Sequence, residues 1–363
     1  MDNRRVVDFK ENNLHLVSYS EPVKGTYTWN ELQSHLHLHP EIPEAVPYRT
    51  SYYKRDWGFC LTAAQYRELE QQKEPFKVVI DSSLEPGSLT YGELLIQGQS
   101  SREILISCYI CHPAMANDSL SGVLLTAFLA RELLAKRDRY YSYRIVFVPE
   151  TIGAVTYCAL NESAMKRIDT ALVITTVGGP GKFGYKRSFD ASHVINRLID
   201  EVLHETGEEY LIYPFDIHGS DERQYSSQGF SINTATICRD RYYEYPQYHT
   251  SLDNLDFVTG RQISETLVLY RRLIEKLEAL RYYRNILPDC EVMLSRHGLY
   301  PETGGAQQPE LNGCSELDII LWLLFLCDGS YDMDSIASRL GILSGELFAV
   351  AERLVSKGVL EIG

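Results

Sequence analysis

Residues 103–135 read EILISCYICHPAMANDSLSGVLLTAFLARELLA, and the order of patterns within this stretch decides the fold. The opening EILISCYIC has the texture of a buried strand. The run SGVLLTAFLARELLAKR, residues 121–137, repeats its apolar positions at helical spacing. Between them sits a polar segment holding His112, Asn117 and Asp118. A buried strand that empties into a polar loop and then a helix is the unit from which parallel sheets are built.

The same grammar continues towards the C-terminus. YRIVFVPE reads as a strand, AVTYCALNESAMKRI as a helix and TALVITTVGG as another strand. SHVINRLIDEVLHETG is a helix, SINTATICR a strand, and ISETLVLYRRLIEKLEALRYYR a long closing helix. Such alternation predicts an α/β fold with a mainly parallel sheet flanked by helices on both faces. Four segments are expected. Residues 1–55 form an N-terminal part of the main domain, with a short strand around Leu14, Leu16 and Ser18 and a helix from Trp29 to Leu38. Residues 56–100, where FKVVIDSSLEPGSLTYGELLIQG alternates and turns at Pro86-Gly87, form a small inserted β module. Residues 101–287 are the α/β domain, and residues 288–363, with three short helices and a strand-like tail, form a winged-helix-like domain.

Composition narrows the function. With 44% hydrophobic and 23% charged residues the chain is an ordinary globular protein, and its net charge of −14 argues against phosphate-backbone binding by the whole surface. The C-terminal stretch SGELFAVAERLVSKG offers only Arg353 and Lys357 against two glutamates, so nucleic acid is an unpromising partner. That tail, with its apolar IILWLLFL, is expected to pack on its own chain or in a homo-oligomer. No apolar run reaches the roughly 18 residues of a membrane span, and the start MDNRRVVDFKENN lacks a signal-peptide core; the cytoplasm is the expected compartment. Eight cysteines include one close pair, Cys108 and Cys111, with core packing and metal or redox work both open.

Three short motifs carry candidate chemistry. His112 stands at the end of a strand and Asp118 just before a helix, where ligands of open α/β sheets bind, and imidazole and carboxylate suit Zn²⁺. Asn117, Asp118 or Ser119 also suit a helix cap. Glu150 ends the strand RIVFVP and is placed to act as a general base on a water at a metal; a solvated strand-end glutamate is the plain alternative. His249, in YHTSLDN, lies in the loop before the closing helix. YRTSYYKRDWGFC (48–60) gathers aromatic and cationic side chains and is expected near the mouth of the site.

In this order ANDSLSG, PETIG and YHTSLDN resemble blocks of the zinc aminopeptidase family that includes leucyl aminopeptidases and glutaminyl cyclases. GSDERQYSSQGFSIN resembles the segment that lines that family's substrate pocket. Together with YRTSYYKRDWGFC, the motifs are similar to a bacterial group of aminopeptidase-like proteins linked with polysaccharide biosynthesis, which implies an inserted β module and a C-terminal winged helix. The resemblance implies zinc held by His112, Asp118 and His249, with Glu150 as general base. Asp221, Glu222, Arg223, Tyr248 and Asp253 are candidate further ligands or substrate contacts, Arg223 or Tyr248 as an oxyanion donor.

Two positions depart from the family's pattern. Thr151 stands where the second glutamate ligand belongs, and Thr176, or Gly179 in a shifted alignment, stands where an aspartate ligand belongs. Threonine is a poor zinc ligand. The remaining set accommodates one zinc rather than two, provided His112 and His249 converge on the same ion. The expected activity is hydrolysis of an amide bond in a small peptide or N-acylated substrate. A peptidase scaffold that has lost catalysis and acts as a binding or regulatory protein is the alternative.

Overall fold

The structure, a computed structural model, describes residues 4–300 and 315–363, so Cys314 lies outside the described residues. The chain forms two compact units, Met1–Arg272 and Leu273–Gly363.

In the first unit the N-terminal strands are short. β1 (Val23–Tyr27), β2 (Leu36–His37), β3 (Phe59–Cys60) and β4 (Phe76–Ile80) form two small ribbons, β1 antiparallel to β4 and β2 parallel to β3. The strand expected at Leu14–Ser18 is a 3-10 turn at Asn13–His15 followed by isolated bridges, Leu16 to Phe59 and Ser18 to Thr50. The helix expected from Trp29 to Leu38 spans only Trp29–Leu32 before a 3-10 turn, because Leu36–His37 is taken up in pairing with β3.

Seven strands build the main sheet: β5 (Gly92–Ile96), β6 (Glu103–Tyr109), β7 (Ser142–Val148), β8 (Thr170–Val173), β9 (Phe183–Lys186), β10 (Leu211–Tyr213) and β11 (Asn233–Arg239). Their order is β10-β9-β11-β8-β6-β7-β5. The four central strands, β11, β8, β6 and β7, run parallel, while β5 and β9 pair antiparallel to their inner neighbours. Residues 56–100 therefore do not make a sheet of their own. β4 pairs with β1, β5 is an edge of the main sheet, and Ala63–Glu70 is a helix capped by Thr62. Alternation and a Pro-Gly turn identify strands but not their partners. β9 and β10 were not anticipated either, being too short to show a period.

Both faces of the central strands are covered. β8 is buried at every position and β6 at all but Glu103, which is why they read as continuous apolar runs. The helix Gly122–Ala135 lays Leu125, Leu129 and Leu133 into the core at i, i+4 spacing, and Val194–His204 does so with Leu198, Ile199, Val202 and Leu203. The helix read from AVTYCALNESAMKRI breaks at Asn161 into Ile152–Leu160 and Glu162–Met165. Gly122 is held to glycine by its surroundings, since a Cβ there would lie 2.4 Å from the Ile174 carbonyl oxygen.

The second unit combines β12 (Tyr282–Asn285), β13 (Asp328–Asp332) and β14 (Leu360–Ile362), in the antiparallel order β13-β12-β14, with helices Glu316–Leu326, Met333–Leu340 and Ser344–Ser356. Its core is closed by Ile319, Leu323, Met333, Ile336, Leu347 and Leu354. Capping is explicit: Ser315 and Asp318 form a capping box, and Asp332 accepts from the first turn of its helix. The sequence boundary at 287/288 falls late because Tyr282–Asn285, read as the end of the closing helix, is the central strand of this sheet. Among the described residues no helix is long and apolar enough to cross a membrane.

Candidate metal centre

β6 delivers His112 three residues beyond its end, and β7 delivers Glu150 two residues beyond its own. β6 and β7 are parallel neighbours, so both residues emerge at the same sheet edge. His249 reaches this edge from a loop that the N-terminal segment clamps. The Tyr48 N–H donates to the His249 carbonyl at 2.7 Å, and the Ser251 N–H donates to that of Val46 at 2.9 Å. This explains why residues far upstream belong to the same unit.

The geometry is close. One ligand atom from each of His112, Asp118 and His249 lies within 4.8 Å of the other two. The two imidazole rings are 5.0 Å apart between centroids, and His249 Nε2 is 3.1 Å from Asp118 Oδ2. Glu150 Oε2 stands 3.7 Å from His112 Nε2. Asp118 is fully buried; its Oδ1 accepts from the Tyr109 hydroxyl, which itself accepts from Thr175 Oγ1 at 2.6 Å. Tyr109 and Thr175 carry no recognisable motif and were missed in the sequence. The Asp118–Ser119 peptide is cis.

Electrostatics prepare these groups for a cation. Burial lowers the His112 pKa and so favours the neutral ring that ligates a metal. Burial pushes the Asp118 carboxyl up, but the His112 and His249 rings and the Tyr109 hydroxyl bring it below its ordinary value, leaving it ionised. Burial, followed by the charges of Asp221, Asp118 and Glu222, pushes Glu150 up to about 9, with Arg223 opposing. Burial likewise raises Asp221 to about 7. Asp118 Oδ2 and His249 Nε2 are buried and face each other at 3.1 Å, but neither makes a hydrogen bond of good geometry. Buried polar atoms are rarely left so, and a divalent cation is the partner that a carboxylate and two imidazoles fit. The residues present thus fit zinc.

The other candidates divide. Asp253 does not face the converging atoms: its Oδ1 and Oδ2 accept the backbone N–H groups of Asn117 and Asp118 at 2.5 and 3.0 Å, which makes it a support and not a ligand. Asp221 Oδ1 accepts the Thr151 N–H at 2.7 Å, and Glu222 Oε1 accepts from Thr236 Oγ1 at 2.6 Å. Neither Asp221 nor Glu222 is in a group of converging ligand atoms among the described residues, although each keeps one buried carboxylate oxygen without a partner. Arg223 is exposed and donates to the Ile217 carbonyl at 3.3 Å. Tyr248 stacks on His249 at 3.9 Å between centroids. From the aromatic segment 48–60, Tyr48 lies edge-on to both histidines, at 5.7 and 5.2 Å, whereas Trp57 stacks on His35.

The substituted positions are visible too. Thr151 and Thr176 both adopt left-handed backbone, φ 62° and 48°, as does His249 at 54°. Such conformations are costly for β-branched residues and collect at functional sites. A Cβ at Gly179 would sit 2.1 Å from Asp240 Oδ2, so a side chain there would have to displace the Asp240 carboxylate. Cys108 is buried against Ser119 in the sheet, while Cys111 is exposed beside His112, so the CxxC pair is split between core and site.

A mainly parallel sheet with this edge is the fold of the zinc aminopeptidases, and the chain is an aminopeptidase-like α/β protein followed by a winged helix. Residues 18–280 match the family described as a domain of unknown function, DUF4910, and the chain belongs to that family; residues 281–362 match a winged helix-turn-helix family. It is 40% identical over 358 residues, 99% of this chain and 81% of the relative, to a Clostridium acetobutylicum protein named as a candidate polysaccharide biosynthesis protein with an aminopeptidase-like domain. A crystal structure of a candidate peptidase from Clostridium acetobutylicum matches with a TM-score of 0.76 and 39% identity, over 99% of this chain and 80% of that one. A zinc aminopeptidase from Bacillus subtilis shares the fold, with a TM-score of 0.53 and 15% identity over 67% of this chain and 63% of its own.

Proposed function

We propose that the chain is a metal-dependent hydrolase that cleaves an amide bond of a small peptide or an N-acylated substrate. The observation that carries this reading is the convergence of His112, Asp118 and His249 within 4.8 Å beside Glu150. These three residues would hold one zinc ion. When bound, the ion supplies Lewis acidity, polarising the scissile carbonyl and making a water easier to deprotonate.

The chain's own groups do the rest. Burial and its acidic neighbours hold the Glu150 carboxyl protonated on their own. With a dication offsetting those charges it would ionise, and as a carboxylate it would take the proton of the attacking water and return it to the departing amine. Burial and the charge of Asp118 keep the Tyr248 hydroxyl protonated, and it donates to the developing oxyanion. The Tyr48 ring, edge-on to both histidines, walls the site on the N-terminal side and restricts water.

Threonines at 151 and 176 support the second reading, a scaffold that binds an amide-bearing ligand without cutting it. Zinc-loaded protein incubated with aminoacyl and N-acyl chromogenic amides separates the two. Turnover that is lost in Glu150→Gln supports hydrolysis; zinc retained with no turnover on either substrate class supports the scaffold.

A further inference from the structure

We propose that Tyr109 sets the metal count of the site. Its hydroxyl takes the Asp118 oxygen that a bridging carboxylate would give to a second ion, and so makes Asp118 a one-oxygen ligand of a single ion. Tyr109 acts through Asp118 and is a positioning residue. The assignment rests on the metal-dependent reading above.

Two adjacent parallel strands root the arrangement. Tyr109 ends β6, and Thr175 lies two residues beyond β8, in which Val173 pairs with Ser107 of β6. Continuing that register sets Thr175 beside Tyr109, and the Thr175 hydroxyl donates to the Tyr109 oxygen at 2.6 Å. The phenol proton in turn goes to Asp118 Oδ1, since an ionised carboxylate only accepts. Tyr109 is 3% exposed, and Thr175 and Asp118 are fully buried. The Tyr109 ring also stands edge-on to His112, 5.2 Å between centroids, so Tyr109 touches two of the three candidate ligands.

The carboxylate is thereby divided between two partners. Oδ1 belongs to the phenol, while Oδ2 faces His249 Nε2 at 3.1 Å. Two ions roughly 4 Å apart share a carboxylate by taking one oxygen each. Here the second oxygen meets a proton donor in place of a cation. A buried carboxylate oxygen left bare is costly, so the hydroxyl pair does for Oδ1 what a second ion would do. No donor set for such an ion surrounds it: among the described residues Asp118 joins one group of converging ligand atoms, that with His112 and His249. Thr176, next to Thr175, brings a buried hydroxyl with no hydrogen-bond partner and no carboxylate.

Cobalt(II) titration of the full chain tests this. The unmodified chain is expected to saturate at one cobalt per chain, with the intense visible bands of a four-coordinate ion. Tyr109→Phe should bind cobalt about 10–100-fold more weakly, the usual cost of removing an outer partner. Its visible bands should weaken and shift as the freed Oδ1 swings onto the ion and raises the coordination number, a change that a merely structural role would not produce. Thr175→Val should move both readouts in the same direction and by less; it keeps the phenol ring in place and reads the same relay if Tyr109→Phe fails to fold. Tyr185→Phe, which removes a hydroxyl bonded to the Asp200 carboxylate at 2.7 Å, should change neither. Saturation at two cobalt ions in the unmodified chain, or unchanged affinity and spectrum in both Tyr109→Phe and Thr175→Val, overturns the role of Tyr109 and leaves the metal centre standing. No cobalt bound by the unmodified chain overturns both.

Discussion

Asp253 holds Asp118 in place: its Oδ2 accepts the Asp118 backbone N–H at 3.0 Å, across 135 residues of sequence. The same carboxylate accepts the Asn117 N–H through Oδ1 and the Tyr245 hydroxyl at 3.3 Å through Oδ2. The loop that carries His249 therefore fixes both a candidate ligand of its own and the turn that presents Asp118. Neither turn can move without the other.

Asp253→Asn should consequently weaken metal binding without removing a ligand. An outer partner of this kind is worth about 10–100-fold in metal affinity. An unmatched buried N–H costs about 1–3 kcal/mol of stability. Competition against a chromophoric chelator and denaturant unfolding would measure the two effects; unchanged affinity would show that Asp253 does not position Asp118.

Glu150→Gln separates holding the metal from using it. The amide keeps the shape of the side chain but cannot accept the water's proton, so hydrolysis should fall by roughly 10²–10⁴-fold. Metal content should stay at the level of the unmodified chain. Loss of the metal in this variant would make Glu150 a ligand and not the base.

Gly122→Ala probes the packing beneath the site. The added methyl would meet the Ile174 carbonyl oxygen, a backbone atom that cannot rotate away. A loss of about 1–3 kcal/mol is expected from such overpacking, read as a lowered midpoint of urea unfolding. A midpoint equal to that of the unmodified chain would mean the helix shifts freely.

The C-terminal winged helix should not bind random duplex DNA. In the helix Ser344–Ser356 the Arg353 guanidinium already donates to Glu316, leaving little free positive charge for phosphates. Salt-dependent binding at micromolar protein, weakened by Lys357→Ala, would contradict this.

The fold was legible where burial was complete. Buried on both faces, β6 and β8 write themselves as apolar runs, and the Gly122–Ala135 helix shows its period. Partner choice was not legible: nothing local tells β5 to join β7 and β4 to join β1, since alternation reports exposure of a strand and not its neighbour. The site was legible as far as chemically distinctive residues mark it, which brought out His112, Asp118, Glu150 and His249. Tyr109 and Thr175 escaped because a buried hydroxyl looks like any other core position, and the supporting contacts of Asp253 to backbone amides and to Tyr245 leave no local mark in the sequence.

The most direct measurement is the zinc content of the full chain after zinc loading and exhaustive dialysis, compared with His249→Ala under the same treatment. The convergence of His112, Asp118 and His249 predicts about one ion retained per chain, the number that this donor set completes, and close to none in His249→Ala. A chain that retains no zinc, or a variant that retains as much as its parent, would contradict the metal centre.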